Sequence, residues 1–324
     1  MTQKFFIYLL ATFYLTSASF AQAQQMPKIP RLLMLVSGSP ETHKVRIDAL
    51  LEGLHAVGYV EGNNIVIEYR YAYGKSERFA EIAAEVVRSK PDVIFVGGTS
   101  FVAAAKQATS TIPTVATGSD LVGDGLVASL ARPGGNITGT TSIARDVAGK
   151  RLELIHEAVP KASRVAVIWH PGRDEMDVKQ IEVTAQALRV KIQSLPIRDR
   201  SEFDKVFAAM KRERANALVI IQNVFAAFHR KQLLDLTTKN RLPSICEYSF
   251  WTDDGCLMSY GADFLHQYRR SAALVDKILK GTKPADIPVE QPMKFEFVVN
   301  LNAAKQIGVT IPPNVLVRAT RVIR

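Results

Sequence analysis

The chain has 324 residues, 47% hydrophobic and 22% charged, with 41 Lys and Arg against 31 Asp and Glu and a net charge of +10. That length suits two domains, and the composition is that of a soluble globular protein. The charge distribution argues against a nucleic-acid or anionic-lipid surface: Lys211-Arg212-Glu213-Arg214 and Arg198-Asp199-Arg200 mix acids with bases, and no run of five or six like charges occurs.

The N-terminus reads as an address. Met1 to Lys4 carries one positive charge, Phe5 to Leu15 is apolar except for Thr12, and Thr16 to Ala23 is small and polar, ending Ala21-Gln22-Ala23. This is the three-part layout of a secretory signal peptide over residues 1–23. The apolar run is short of the roughly 20 residues a membrane span needs. A retained N-terminal anchor is the alternative. Cleavage would leave 301 residues and a net charge of +9, since Lys4 is the one charge removed. Export takes the protein away from ATP, NAD and the chromosome. Gln24 follows the leader where a lipid-carrying cysteine would sit, so a protein free in the periplasm, without direct membrane insertion, is expected. That compartment permits a disulfide between Cys246 and Cys256, the two cysteines. Nine intervening residues leave the pairing open.

Alternating elements follow. Arg31–Val36 predicts a buried strand, Lys44–Val57 an amphipathic helix ended by Gly58, and Ile65–Tyr71 a second strand. Ser76 can cap a helix over Glu77–Arg88. Strand Asp92–Val96, helix Phe101–Ala108 and strand Ile112–Ala116 complete a first set, followed by the turn cluster Arg132–Asn136 and extended Ile137–Ser142. After a helix near Ala144–Ala158, the rhythm repeats. Arg164–Trp169, Lys191–Pro196, Ala217–Ile221, Pro243–Cys246 and Cys256–Tyr260 read as strands. Asp177–Arg189, the helix from Ser201 to Arg212, and Phe225–Asn240 lie between them. Helix Asp263–Leu279, strand Phe295–Asn300 and helix Leu301–Ile307 end the chain. Short apolar strands between amphipathic helices predict an α/β fold of parallel sheets covered on both faces, built as two similar halves.

Ligands of open parallel sheets bind at the carboxyl ends of strands. In the first half those ends carry Ser37 and Gly38, Gly98, Thr99 and Ser100, and Gly118 with Asp120. Glycines admit a close backbone approach, hydroxyls donate and accept, and the start of a helix favours an anion such as a carboxylate. The bland alternative for Gly97–Ser100 is a capped strand-to-helix turn. For Asp120 it is a cap on the turn Leu121–Gly125, against a role in holding a ligand amine. Thr141 and Ser142 close the extended, polar-small stretch Ile137–Ser142 and are candidates for polar contacts. In the second half, His170, Asn223, Tyr248 and Phe250 stand at strand ends, where aromatic rings can stack on a ligand or simply pack.

Catalytic patterns are missing. The chain has no G-x-S-x-G elbow, no phosphate-binding G-x-x-x-x-G-K-[ST] loop, no G-x-G-x-x-G after the first strand and no H-E-x-x-H. No catalytic residue, metal ligand or cofactor is therefore assigned.

Gly123–Gly139 (GDGLVASLARPGGNITG) resembles the signature stretch of ABC-transporter substrate-binding proteins of the tryptophan/tyrosine-type group. So do Leu50–Gly62, Leu257–Gly261, and Val289–Pro292 with Phe295–Asn300. The resemblance implies a type I periplasmic-binding-protein fold: two Rossmann-like lobes joined by a three-crossover hinge that close on a ligand. The crossovers would lie near Thr140–Ser142, Tyr260–Ala262 and Pro284–Pro288. The N-terminal lobe would be 24–141 plus 262–284, and the C-terminal lobe 142–261 plus 285–324. It also implies a small-molecule cargo, with aromatic amino acids known for some members, and a partner ABC permease in the inner membrane. A monomer without nucleic acid is expected. Two further readings remain: a ligand sensor for a membrane signalling partner, and an exported α/β hydrolase.

Overall fold

The computed structural model describes residues 28–172 and 174–324; the expected leader at residues 1–23 lies outside the described residues. The first lobe opens with β1 (Arg31–Val36), α1 (Pro40–Ala56), β2 (Val66–Tyr71) and α2 (Phe79–Ser89). It continues with β3 (Val93–Gly97), α3 (Thr99–Ala108), β4 (Thr114–Gly118) and β5 (Ile137–Thr141). Its five strands are parallel, in the order β2-β1-β3-β4-β5. The second lobe begins with α4 (Ala148–Ala158), β6 (Arg164–Trp169), α5 (Glu175–Leu188), β7 (Lys191–Pro196) and α6 (Phe203–Arg212). Next come β8 (Ala217–Ile220), α7 (Val224–Phe228), α8 (Arg230–Lys239), β9 (Ser244–Cys246), α9 (Ser249–Asp253) and β10 (Met258–Ala262). The chain returns to the first lobe for α10 (Phe264–Leu279), then adds β11 (Phe295–Asn300), α11 (Leu301–Ile307), α12 (Pro313–Leu316) and β12 (Arg321–Ile323) to the second. That sheet runs β12-β11-β10-β9-β8-β6-β7, and only the β10–β11 pair is antiparallel.

Alternation along each central strand supplies two cores per lobe, because successive strand side chains point to opposite faces. From β1, Leu32, Met34 and Val36 pack against α1 and α10 with Leu50, Leu54, Ala272 and Val275. Leu33 and Leu35 face Phe79, Ile82, Phe101 and Val102 of α2 and α3. In β6, Val165 and Val167 join Leu152, Ile155 and Ile181, while Ala166 and Ile168 join Phe203, Phe207, Met210 and Leu233.

Several boundaries differ from the sequence reading, each for a local reason. Helix α1 starts at Pro40, four residues before the expected Lys44, because Ser39 and Thr42 form a capping box and proline suits the first turn. Asp199, rather than Ser201, caps the turn before α6, its Oδ1 accepting the Ser201 N–H at 2.8 Å. The single helix expected over Phe225–Asn240 is two, parted at His229, whose ring packs tilted on Phe225 and edge-on to Phe228. The short helix α9 and strand β12 were not expected. The second crossing comes after Ala262, which is still in β10. The third comes after Glu290 rather than at Pro284–Pro288. Ile287 and Val289 are buried in the first lobe, and the Val289 and Glu290 N–H groups donate to Leu130 O and Gly139 O. Among the described residues, no helix is long and apolar enough to cross a membrane.

Candidate functional site

Strand order reverses direction between β1 and β3 in one sheet and between β6 and β8 in the other. Crevices at such switch points are where open α/β sheets bind ligands. The two crevices face each other across a cavity of about 300 Å³, at the lower end of the roughly 300–1,000 Å³ usual for ligand sites.

The first lobe contributes Ser37, Gly98, Thr99, Ser100 and Gly118, all named from sequence. The β1–β3 register, Leu35 opposite Val96, brings Ser37 beside Gly98. Gly98 takes φ +92° at the N-cap of α3, a conformation that a side chain would strain. Phe101 is the first residue of α3 whose N–H closes back on Gly98, so the N–H groups before it belong to the electropositive helix start. The Thr99 hydroxyl accepts the Ser119 N–H at 3.2 Å and lies 3.2 Å from the Ser119 hydroxyl. Gln267 and Tyr268 of α10 also line this wall. The Thr141 carbonyl holds the Gln267 side chain at 2.7 Å.

The second lobe contributes Asn223 and Tyr248, also named from sequence, with Gly172, Asp174, Asp177, Gln222 and Glu247. The Asn223 Oδ1 caps α7 through the Ala226 N–H at 2.8 Å. Its Nδ2 donates to Asp174 Oδ2, also at 2.8 Å, and Asp174 additionally accepts the His170 N–H. Glu247 is 4% exposed. Burial raises its pKa to about 7, opposed by Arg151 and the Tyr248 hydroxyl and reinforced by Asp177 and Asp174. Burial and the neighbouring Glu247 push the Tyr248 phenol well above its usual range. Its hydroxyl donates to Ser142 Oγ at 3.2 Å. The disulfide Cys246–Cys256 closes the loop that carries Glu247, Tyr248 and α9.

The remaining expected residues stand off the main cavity. Gly38 lines a small side chamber with Thr42, His43 and Arg46. Asp120 accepts the Gly123 N–H and pairs with Arg145 at 2.9 Å, so the turn and an ion pair use it. The Thr141 hydroxyl donates to Ser119 O, and Ser142 stands behind Tyr248. His170 packs on Phe225, with Nδ1 turned to Pro171 O. Phe250 stacks behind Tyr248 and beside Phe264. For Asp120, Thr141, Ser142, His170 and Phe250, local hydrogen bonds or ring packing engage the side chain away from the cavity.

Arg46, His43, Asp174, Asp177, Glu247, Arg145, Gln267 and Tyr268 line the cavity without having been named. A signal existed for two of them: His43 and Arg46 interrupt the inward stripe of α1 at helical spacing from Ile47 and Leu50. Arg145 lies in the first crossover and pairs with Asp120 and Asp124 of one lobe, and at 3.9 Å with Asp177 of the other. Among the described residues, no group of three or more His, Cys, Asp or Glu could hold a metal ion.

The site thus offers hydroxyls and a helix start on one wall and buried acids with a phenol on the other, which suits a small polar ligand. Known proteins carry the same architecture. A domain protein from Vibrio cholerae superposes with a TM-score of 0.83 at 27% identity, over 91% of this chain and 100% of that one. A domain from Streptococcus pneumoniae solved in complex with L-Trp gives a TM-score of 0.83 at 21% identity, over 91% and 99%. A tyrosine-binding protein of Clostridioides difficile is 26% identical over 260 residues, 79% of this chain and 74% of the relative. The model of the ABC transporter substrate binding protein family matches residues 33–323, and the chain belongs to that family.

Proposed function

We propose that the protein captures an amino acid or related carboxylate, with an aromatic side chain admitted, in the interlobe cavity and delivers it to an ABC permease of the inner membrane. The carrying observation is the cavity's position at both switch points, with an electropositive helix start on one wall and Asp174, Asp177 and Glu247 on the other. A zwitterion spans these walls with its carboxylate toward the first lobe and its ammonium toward the second. Tyr248, Tyr268 and Phe264 provide ring surface beside it. The tyrosine-binding relative and the L-Trp complex support the aromatic choice. On this reading the ligand leaves chemically unchanged, the lobes open and close by hinge motion at the crossovers, and the mature chain works as a periplasmic monomer.

A thermal-shift screen of the twenty amino acids tests the reading, because a ligand that binds the folded state raises the melting temperature. Aromatic members should give the largest rise. No rise with any amino acid would remove amino acids as cargo.

A further inference from the structure

Helix α1 buries one stripe, and its apolar members Ile47, Leu50 and Leu54 pack under the first sheet. His43 and Arg46 extend that stripe toward the cavity and are buried nearly as well, at 8% and 9% exposure. A guanidinium this deep normally meets a carboxylate, because an unpaired buried charge is costly. Among the described residues Arg46 forms no ion pair; its nearest polar partner is His43, with Nη1 lying 2.9 Å from His43 Nε2. Arginine only donates, so Nε2 is the acceptor and the ring proton sits on Nδ1, 3.1 Å from Thr42 Oγ1. Burial, then the nearness of Arg46 and Arg230, holds the His43 pKa down to about 2, so the ring is neutral.

The other neighbours supply no negative charge to balance it, although the Tyr268 and Tyr248 phenols favour the guanidinium. Phe250 and Phe264 lie 4.6 and 4.8 Å from the guanidinium carbon and attract it only through their ring faces. Arg230, the second cation nearby, is already paired with Asp254. The side chamber bounded by Ser37, Thr42, His43, Arg46 and Arg230 contains no acid. Arg46 also lines the main cavity with Ser37, Gly98 and Thr99. An uncompensated positive charge therefore faces the ligand space beside the start of α3.

We propose that Arg46 is the anion anchor of the cavity, and that the cargo must carry a carboxylate that pairs with its guanidinium. The inference rests on reading the cavity as the ligand site. It goes further by making the anionic group, rather than the ammonium or the ring, the feature without which nothing binds. Arg46 belongs to the first lobe and Phe250 to the second, so the pair forms at the seam that closes.

Phenylacetate and phenylacetamide have nearly the same shape and differ by one charge. Each is titrated to tens of millimolar against the full chain and its Arg46→Gln variant, with thermal shift and ligand-observed NMR as readouts. Phenylacetate should stabilise and bind the wild type, phenylacetamide should do neither, and Arg46→Gln should abolish the phenylacetate response. Any amino acid that binds should lose about tenfold to a hundredfold in affinity in the variant, the usual range for a charged hydrogen bond. The ligand-free variant should melt no lower than wild type, since it sheds an unpaired buried charge, whereas a merely structural arginine would leave it less stable. If the variant does not fold, the wild-type comparison of acid with amide still decides. Equal responses to acid and amide, no response to phenylacetate, or an unaltered response in Arg46→Gln would overturn the proposal. An Arg46-dependent phenylacetate response with no amino-acid binding would leave the anchor standing and remove the amino-acid reading; amino-acid binding indifferent to Arg46→Gln would do the reverse.

Discussion

Replacing Glu247 with glutamine should make the ligand-free protein more stable in mild alkali and leave it little changed in acid. Burial raises the Glu247 pKa from 4.5 to about 7, with Arg151 and Tyr248 pulling against it and Asp177 and Asp174 adding to it. Between those two values the folded chain holds a proton that the unfolded chain has lost, so stability falls as pH rises. The contribution is fully present below about pH 4.5 and is lost as pH climbs through about 7. A gap of about 2.5 pKa units corresponds to about 3 kcal/mol. Urea unfolding of wild type and Glu247→Gln at about pH 5 and pH 8 isolates this group, since the other titrating residues cancel. The variant's advantage should grow by about 2.5 kcal/mol between the two conditions. If the advantage does not grow, Glu247 is not a buried acid without a matching cation, and the acidic wall has been misread. A ligand ammonium settling against Glu247 should also ionise it, so titration calorimetry near pH 7 should show proton release whose heat varies with the buffer.

Two further perturbations address closure and the second wall. Gly74 holds φ +77°, and a Cβ there would lie 2.4 Å from Phe228 Cγ of the opposite lobe; Gly74→Ala should therefore weaken ligand affinity about tenfold, mainly through faster dissociation in stopped flow, for a closed-state cost of about 1.4 kcal/mol. Adding Phe228→Ala should restore part of that loss, and no recovery would mean that the two do not meet in the liganded state. The double change Cys246→Ser and Cys256→Ser opens a loop of about ten residues, worth about 2.5–3 kcal/mol of chain entropy. The melting temperature and the cavity affinity should fall together, and unchanged affinity would show that the disulfide does not hold the Tyr248 wall in place.

The layered α/β plan was legible because apolar strands and amphipathic helices alternate so regularly, and β1, β6, β7 and β11 occupy the ranges that the sequence reading assigned. Short elements were not: α9 has five residues and β12 three, too few to show a period. The break between α7 and α8 was hidden because the apolar spacing runs on through His229. At the site, strand-end reasoning brought Ser37, Gly98, Thr99, Ser100, Gly118, Asn223 and Tyr248 to the cavity lining. It failed for His170 and Phe250 because a residue at a strand end can turn either way, and neighbouring rings decide which. Gln267 reaches the cavity from inside α10, where only tertiary packing reveals it, while Arg46 left one trace in the sequence, a charge within the apolar stripe of α1.

The proposed cargo is an aromatic amino acid held in the interlobe cavity. Calorimetric titration of L-tyrosine and L-tryptophan into protein cleared of carried-over ligand, alongside the Tyr248→Ala variant, tests this assignment most directly. One binding event per chain is expected for at least one of the two, weakened at least tenfold in the variant. Heat of binding absent for both, or an affinity indifferent to Tyr248→Ala, would contradict the assignment.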